Sequence, residues 1–306
     1  MLATKHIISI EDLTPAEIEL VLDTAESFKE VNERRIKKLP TLRGRTIVNL
    51  FLEPSTRTRT SFEIAAKRLS ADAVNFSGDA SATVKGESLA DTAETLSAMV
   101  CDLVVVRHRY AGAPQILARH MDAHVINGGD GMHEHPTQAL LDLFTMRERL
   151  GRLHGLRVGI VGDVCHSRVA GSLVRGLIAV GAHPVLIAPP TLLPARADAL
   201  GVKAVTSLDD VLPELDVVYL LRVQMERAEG MPFPSLREYA RLFGMNEARL
   251  ARMRPDAIIM HPGPMNRGVE ISAGVADSDR SLVLDQVNAG VAVRMAAMYL
   301  LLGGED

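Results

Sequence analysis

TIVNLFLEPSTRTRTSFEIAAKRL, running from Thr46 to Leu69, places a strand, a turn and a helix in immediate succession. TIVNLFL (Thr46 to Leu52) is β-branched and aliphatic, as a strand requires, and FEIAAKRL (Phe62 to Leu69) has the composition of a helix. Between them Glu53 and Pro54 end the strand, and Ser55, Thr56, Arg57, Thr58, Arg59, Thr60 and Ser61 lead into the helix. Free N–H groups and the positive end of the dipole favour an anion at a helix start. The hydroxyls there can donate to phosphate oxygens, and Arg57 can add a bidentate charged contact. The segment reads as a phosphate cradle without glycines. The structural alternative is that Ser and Thr only cap the helix, with Arg59 in an ion pair with Glu53 or Glu63.

Outward from this unit the same rhythm continues. Thr14, Pro15 and Glu17 form a capping box ahead of Ile18, Val21, Leu22, Ala25 and Phe28, which recur at helical spacing. LVVV (Leu103 to Val106) and HVIN (His124 to Asn127) are strand-like, with helical stretches between the strands. A helical pattern from Pro136 to Leu150 stops at Gly151, and LRVGIVG (Leu156 to Gly162) begins a second series with PVLIA (Pro184 to Ala188), DVVYLL (Asp216 to Leu221) and AIIM (Ala257 to Met260). Strands alternating with helices imply βαβ units and parallel sheets. The expectation is an α/β fold of two doubly wound parallel-sheet lobes, residues 1–150 and 151–285, with a ligand cleft between them. No internal repeat relates the halves.

Bulk properties narrow the function. With 306 residues, the chain exceeds the usual size of one core. At 47% apolar and 24% charged residues it has the composition of a folded globular protein. A net charge of -4 offers no basic footprint for nucleic acid or an anionic membrane, so a small-molecule partner is favoured. Cys101 and Cys165 lack the spacing of a disulfide framework or a zinc site and are expected to be buried thiols. The N-terminal apolar run is too short for an export signal, so a cytoplasmic location is expected. Val287 to Leu302, the most apolar stretch, falls short of a bilayer span and reads as a buried helix.

Further constellations lie at strand ends and loops. DASATVKGESLADT (Asp79 to Thr92) sets Ser81 and Lys85 in a polar loop before a helix, a place for ligand contact or for a simply solvated lysine. Arg107 follows LVVV, and NGGDGMHEHPTQ (Asn127 to Gln138) brings His135 and Gln138 to a helix start. Ligands of open α/β sheets bind beyond the strands' carboxyl ends. HEHP lacks the i, i+4 spacing of a helical zinc pair, which favours a metal-free imidazole donor at His135 and a surface role for His133. GIVGDVCHSR (Gly159 to Arg168) lacks the GxGxxG spacing of a dinucleotide turn, so no nicotinamide cofactor is expected. Arg168 and Arg222 follow strands of the second half, where two guanidinium groups suit a ligand with two carboxylates. MHPGPMNRGVE (Met260 to Glu270) is a stiff loop whose carbonyls can meet an amide or amine.

STRTRTSFE, VKGESLADT, HPTQ, GDVCHSR, RVQMER and HPGPMNRGVE occur in the order found in the aspartate carbamoyltransferase family, whose catalytic chains this sequence resembles over nearly its whole length. The first motif is shared with ornithine carbamoyltransferases, which usually carry SMG and HCLP motifs in the second lobe where this chain has LRVQMER and HPGPMNRGVE. The resemblance implies transfer of a carbamoyl group from carbamoyl phosphate to L-aspartate, without metal or other cofactor. It implies that Ser55, Thr56, Arg57 and Thr58 hold the phosphate, and that Arg107, His135 and Gln138 surround the carbamoyl carbonyl. By the same resemblance Arg168, Arg222 and Gln224 hold aspartate, and Gly263 and Pro264 contact the carbamoyl amide. Catalysis would fall to Arg57, Thr58, Lys85, Arg107 and His135. Ser81 and Lys85 match a loop that reaches a neighbouring subunit's site, which implies a homotrimer, free or joined to regulatory chains or dihydroorotase. Residues 286–306 would pack back on the first lobe. Rival readings are a carbamoyltransferase for another amine such as ornithine, and a non-catalytic homologue that binds phosphometabolites or acts as a scaffold.

Overall fold

The computed structural model describes residues 1–77, 88–223 and 235–303. The chain divides into two compact units, Met1–Phe144 with the segment from Asn288 onward, and Thr145–Val287.

In the first unit helix α1 (Pro15–Glu33) starts at the capping box: Thr14 Oγ1 accepts from Glu17 N–H at 3.2 Å, and Glu17 accepts from Thr14 N–H at 2.9 Å. Its Ile18, Val21, Leu22, Ala25 and Phe28 are all buried, as their spacing requires. Strands β1 (Thr46–Phe51), β2 (Asp72–Ser77), β3 (Leu103–His108) and β4 (His124–Asp130) form one sheet in the order β2-β1-β3-β4, every pairing parallel. Helices α2 (Thr56–Arg68), α3 (Leu89–Ala98), α4 (Ala113–His120) and α5 (Pro136–Leu150) follow the strands. Val48, Leu50, Val104 and Val106, alternating along β1 and β3, meet Leu96 of α3 and Leu117 of α4 in one cluster. The N-terminal segment adds a short parallel bridge to the edge of β4, with Ile7 N–H on Val125 O at 2.9 Å. That bridge covers an edge otherwise open to pairing.

The last helix, α10 (Val283–Leu302), is almost continuously apolar from Ala289 onward, so it needs burial on most sides. Its Tyr299 ring stands edge-on to Phe28 of α1 at 5.6 Å, and Leu2 N–H donates to Leu300 O at 3.3 Å. Among the described residues no helix is long and apolar enough to cross a membrane.

The second unit has β5 (Arg157–Val161), β6 (His183–Ile187), β7 (Lys203–Val205), β8 (Val217–Leu220) and β9 (Ile258–Met260) in the order β7-β6-β5-β8-β9, again wholly parallel. Helix α6 (Arg168–Ala179) follows β5, and α7 (Leu236–Phe243), α8 (Glu247–Arg252) and α9 (Ala273–Ala276) complete the described helices. Leu212, Leu215, Val218, Tyr239, Phe243 and Ile259 belong to its core. Both halves are therefore parallel-sheet α/β units, as the alternation of strands and helices implies. Strands β2 and β7 carry no strong pattern in the sequence: β2 reads DAVNFS and is half exposed, and β7 has three residues. Cys165 departs from its expectation. It is exposed, and Cys101 is half-buried.

Candidate active site

In a doubly wound sheet the chain winds outward in opposite directions from adjacent central strands, leaving a crevice beyond their carboxyl ends. In the first unit these strands are β1 and β3, paired up to Phe51 beside Arg107. The turn after β1 thus opens next to Arg107. In the second unit they are β5 and β8, so the β5–α6 turn with Arg168 opens next to Arg222.

The start of α2 differs from the other described helix starts. Ser55 is the N-cap, extended at φ −161° and ψ 96°, yet its hydroxyl makes no capping bond. Thr14, Ser88, Ser167, Ser235, Asn246 and Ser272, the N-caps of α1, α3, α6, α7, α8 and α9, each accept one. The Ser55 hydroxyl is left for something else. The first turn of α2 also has no acidic residue and carries Arg57, and α6 likewise opens on Arg168 with no acid in its first turn. A cation at a helix N-terminus opposes the dipole, and a bound anion reverses that cost. Thr58 is buried, Ser55 half-buried, and Thr56 and Arg57 exposed.

Arg107 is held from two sides. Its Nη2 lies 3.6 Å from Glu53 Oε1 beyond β1, and its Nη1 donates to Gly128 O of β4 at 3.4 Å. Glu53 is therefore the anchor of Arg107, and Glu63 pairs with Lys67 at 2.6 Å. The Glu63 carboxyl is held low chiefly by that Lys67 bond, with the Arg59 charge a lesser contribution. His135 is buried just before α5, its carbonyl accepting from Gln138 N–H at 2.9 Å. Gln138, one turn in, donates through Nε2 to Asp142 Oδ1 at 3.0 Å. His133 is exposed and lies 3.1 Å from Asp130. Among the described residues no group of acidic, histidine or cysteine side chains is arranged to hold a metal ion.

In the second unit the turn after β5 requires glycine at position 162. Its φ is +125°, and a Cβ there would come within 2.9 Å of Tyr239 Oη and 3.0 Å of Leu221 O. Arg168 is buried, at the first position of α6 behind the Ser167 cap. Asp163, buried in the same turn, has its Oδ1 2.7 Å from His166 Nδ1. Arg222 is half-buried beyond β8, and the next residue, Val223, donates its N–H to Glu270 Oε1 at 2.8 Å. Asn266 donates its N–H and Nδ2 to the same carboxylate at 2.7 and 2.8 Å, tying the strand exit to the 260–270 loop. Burial pushes the Glu270 carboxyl up despite these donors. In that loop the Gly263–Pro264 bond is cis, and Gly263 N–H donates to His261 Nδ1 at 2.8 Å.

The first sheet thus gathers Ser55, Thr56, Arg57, Thr58, Arg107, His135 and Gln138 at its carboxyl edge, and the second gathers Arg168 and Arg222 at its own, with Gly263 and Pro264 beyond β9. Ser81, Lys85 and Gln224 lie outside the described residues. Sequence reasoning missed the roles of Asp142 and Glu270. Asp142 had a signal, its i+4 spacing from Gln138 on one helix face. Glu270 had none, because its partners depend on where β8 ends.

Both halves of the chain have counterparts in known proteins. Residues 5–148 match the model of the aspartate/ornithine carbamoyltransferase carbamoyl-P binding domain, and residues 154–301 that of the Asp/Orn binding domain. The chain belongs to the aspartate/ornithine carbamoyltransferase family. Within the family it is 61% identical over 300 residues to the aspartate carbamoyltransferase catalytic subunit of Thermobifida fusca, covering 98% of this chain and 96% of that one. It is 59% identical over 302 residues to that of Acidothermus cellulolyticus, covering 99% and 94%. Among solved structures of the family it resembles Trypanosoma cruzi aspartate transcarbamoylase in complex with N-(phosphonacetyl)-L-aspartic acid, with a TM-score of 0.90 and 32% identity over 97% of this chain and 96% of that one. Ornithine carbamoyltransferase from Pyrococcus furiosus has a TM-score of 0.88 and 29% identity over 100% and 99%.

Proposed function

We propose that this carbamoyltransferase moves the carbamoyl group of carbamoyl phosphate to the amine of L-aspartate, giving N-carbamoyl-L-aspartate and phosphate, an early step of pyrimidine synthesis. The observation that carries the donor half is the start of α2, where Ser55 makes no capping bond and Arg57 opposes the helix dipole, beside the anchored Arg107. The acceptor half is carried by Arg168 and Arg222 at the second crevice, which suit two carboxylates and repel the side-chain ammonium of ornithine. The 61% identity to an aspartate carbamoyltransferase supports the same acceptor.

The donor's phosphate sits on Ser55, Thr56, Arg57 and Thr58, and its carbamoyl group lies by Arg107, His135, Gln138 and the carbonyls around Gly263 and Pro264. Aspartate is held by Arg168, Arg222 and Gln224. The neutral amine attacks the carbonyl carbon, the bond from that carbon to the bridging oxygen breaks, and phosphate departs with the electron pair and accepts the amine's proton. Thr58, Arg107 and His135 donate to the developing oxyanion, while Arg57 and Lys85 neutralise the leaving phosphate. No covalent enzyme intermediate is needed. Ser81 and Lys85 come from a neighbouring subunit in this scheme, so the working unit is a homotrimer in the cytoplasm, alone or within a larger assembly. The 1–150 region with 286–306 serves the donor and 151–285 the acceptor.

Colorimetry of ureido products from purified protein and carbamoyl phosphate, with aspartate or ornithine as acceptor, tests the proposal. Carbamoylaspartate formation with ornithine inert is the expected result. Turnover of ornithine alone refutes the acceptor assignment, and no product from either refutes the transfer.

A further inference from the structure

We infer, given the transfer proposed above, that Asp142 and Arg294 are positioning residues: they turn the carbonyl end of the Gln138 amide toward the carbamoyl nitrogen and so set the preference for a carbamoyl over an acyl phosphate. Gln138 Nε2 donates to Asp142 Oδ1 at 3.0 Å, with Gln138 nearly and Asp142 wholly buried. An ionised carboxylate only accepts hydrogen bonds, so the amide must offer it the NH2 and present Oε1 on the other side. A protonated Asp142 could donate instead, and the amide would be free to turn over.

Burial alone favours that neutral carboxyl, so something must hold the charge. Arg294 of α10, whose head group and Leu141, next to Asp142, both flank Gly290, puts a buried positive charge within reach of that carboxylate. It is 4% exposed, and its pKa is pulled down to about 10 by burial, opposed by the Asp142 charge and assisted by that of Arg107. It therefore remains a cation at neutral pH. Its place is fixed by bonds from Nη1 to Ser61 Oγ at 2.8 Å and to Gly290 O at 3.1 Å, and its Cζ stands 4.9 Å from the centre of the Phe62 ring. Gly290 leaves the room, since a Cβ there would lie 2.5 Å from Nη1. Ser61 and Phe62 belong to α2, so the buried guanidinium joins α2 to α10 at Gly290, where α10 lies against Leu141, the neighbour of Asp142: a Cβ at Gly290 would come within 3.3 Å of Leu141 Cδ2.

A carbamoyl group presents N–H donors where an acetyl group presents a methyl of similar size. An acceptor held at that point rewards the first and is left unpaired by the second. A reversed amide would set donor against donor. Neither Asp142 nor Arg294 needs to touch the ligand for this.

The test compares the KM for carbamoyl phosphate with the inhibition constant of acetyl phosphate, using purified full-length protein with aspartate. Asp142→Asn should raise the former about tenfold and leave the latter within about twofold, a narrowing that a merely structural role would not produce. Arg294→Met should narrow the ratio likewise and Arg294→Lys should restore it. An unchanged ratio in Asp142→Asn, or equal weakening of both ligands, overturns the inference, and a ratio lost equally in both Arg294 variants overturns the part given to Arg294. If Asp142→Asn does not fold, Gln138→Leu carries the test: its ratio must fall by a similar factor, and a wild-type ratio overturns the inference. A wild-type protein that turns over no carbamoyl phosphate would refute the proposed transfer itself, before any variant is made.

Discussion

Replacing Ser55 by alanine should separate stability from function, as the N-cap serines of α3, α6, α7 and α9, each of which accepts a capping bond, would not. An N-cap hydroxyl that accepts a helix N–H is worth about 1 kcal/mol, and in Thr14→Ala that bond and the one the hydroxyl donates to Glu17 are both lost, while the backbone N–H of residue 14 keeps its bond to Glu17. For a unit of this size the Thr14 change corresponds to a fall in Tm of about 2–4 °C. Ser55 makes no such bond, so Ser55→Ala should leave Tm within about 1 °C. Its cost should fall on the ligand. A hydrogen bond to a charged group contributes about 1.5–3 kcal/mol, so the affinity for carbamoyl phosphate should weaken by at least about tenfold. Thermal unfolding and initial-rate kinetics on the same preparations read both quantities. If Ser55→Ala melts as early as Thr14→Ala and retains wild-type kinetics, Ser55 is a cap and the cradle assignment is wrong.

Arg57→Ala should lower kcat by a factor on the order of 100, the usual loss for a transition-state donor, and a near-normal kcat would remove it from the chemistry. Arg168→Ala and Arg222→Ala should each raise the KM for aspartate by at least about tenfold while moving the KM for carbamoyl phosphate far less; equal losses for the two substrates would contradict the assignment of the two sheet edges. Asp209, whose carboxyl is held below its ordinary 3.8 first by the hydrogen bond from Arg249, should stabilise the second unit fully above about pH 4 and lose that effect as the pH falls through its lowered value. The gap in Tm between wild type and Asp209→Asn should therefore close on acidification, and a gap independent of pH would show that the pair contributes nothing through charge.

Much of the first sheet's carboxyl edge, as an arrangement of elements, was legible in the sequence because its signals are local. A capping box such as that of Thr14 and Glu17 spans four residues, and the strand–turn–helix order of Thr46 to Leu69 places hydroxyls and Arg57 at a helix start whatever lies around it. The 136–150 helix ends where its apolar period and Gly151 say it should. Motif order over the whole chain was enough to point to the family. Partners distant in the chain were not legible. Glu53 could have paired with Arg59 nearby, yet it anchors Arg107, because β1 and β3 are neighbours in the sheet and their carboxyl ends meet.

What the sequence by itself determined, then, was the set of elements, their order, and the residue types waiting at each strand end. Caps, periodicity and turn chemistry are settled within a few residues of chain. Only the tertiary structure decided which of those ends share an edge, through the strand orders β2-β1-β3-β4 and β7-β6-β5-β8-β9. It alone brought Arg294 from the last helix against Ser61 and Phe62 and seated Glu270 on the exit of β8. The physical reason is that burying a charge is tolerable only where a partner is already in place, and such partners are brought together by strand pairing and helix packing over long separations, which no local pattern encodes.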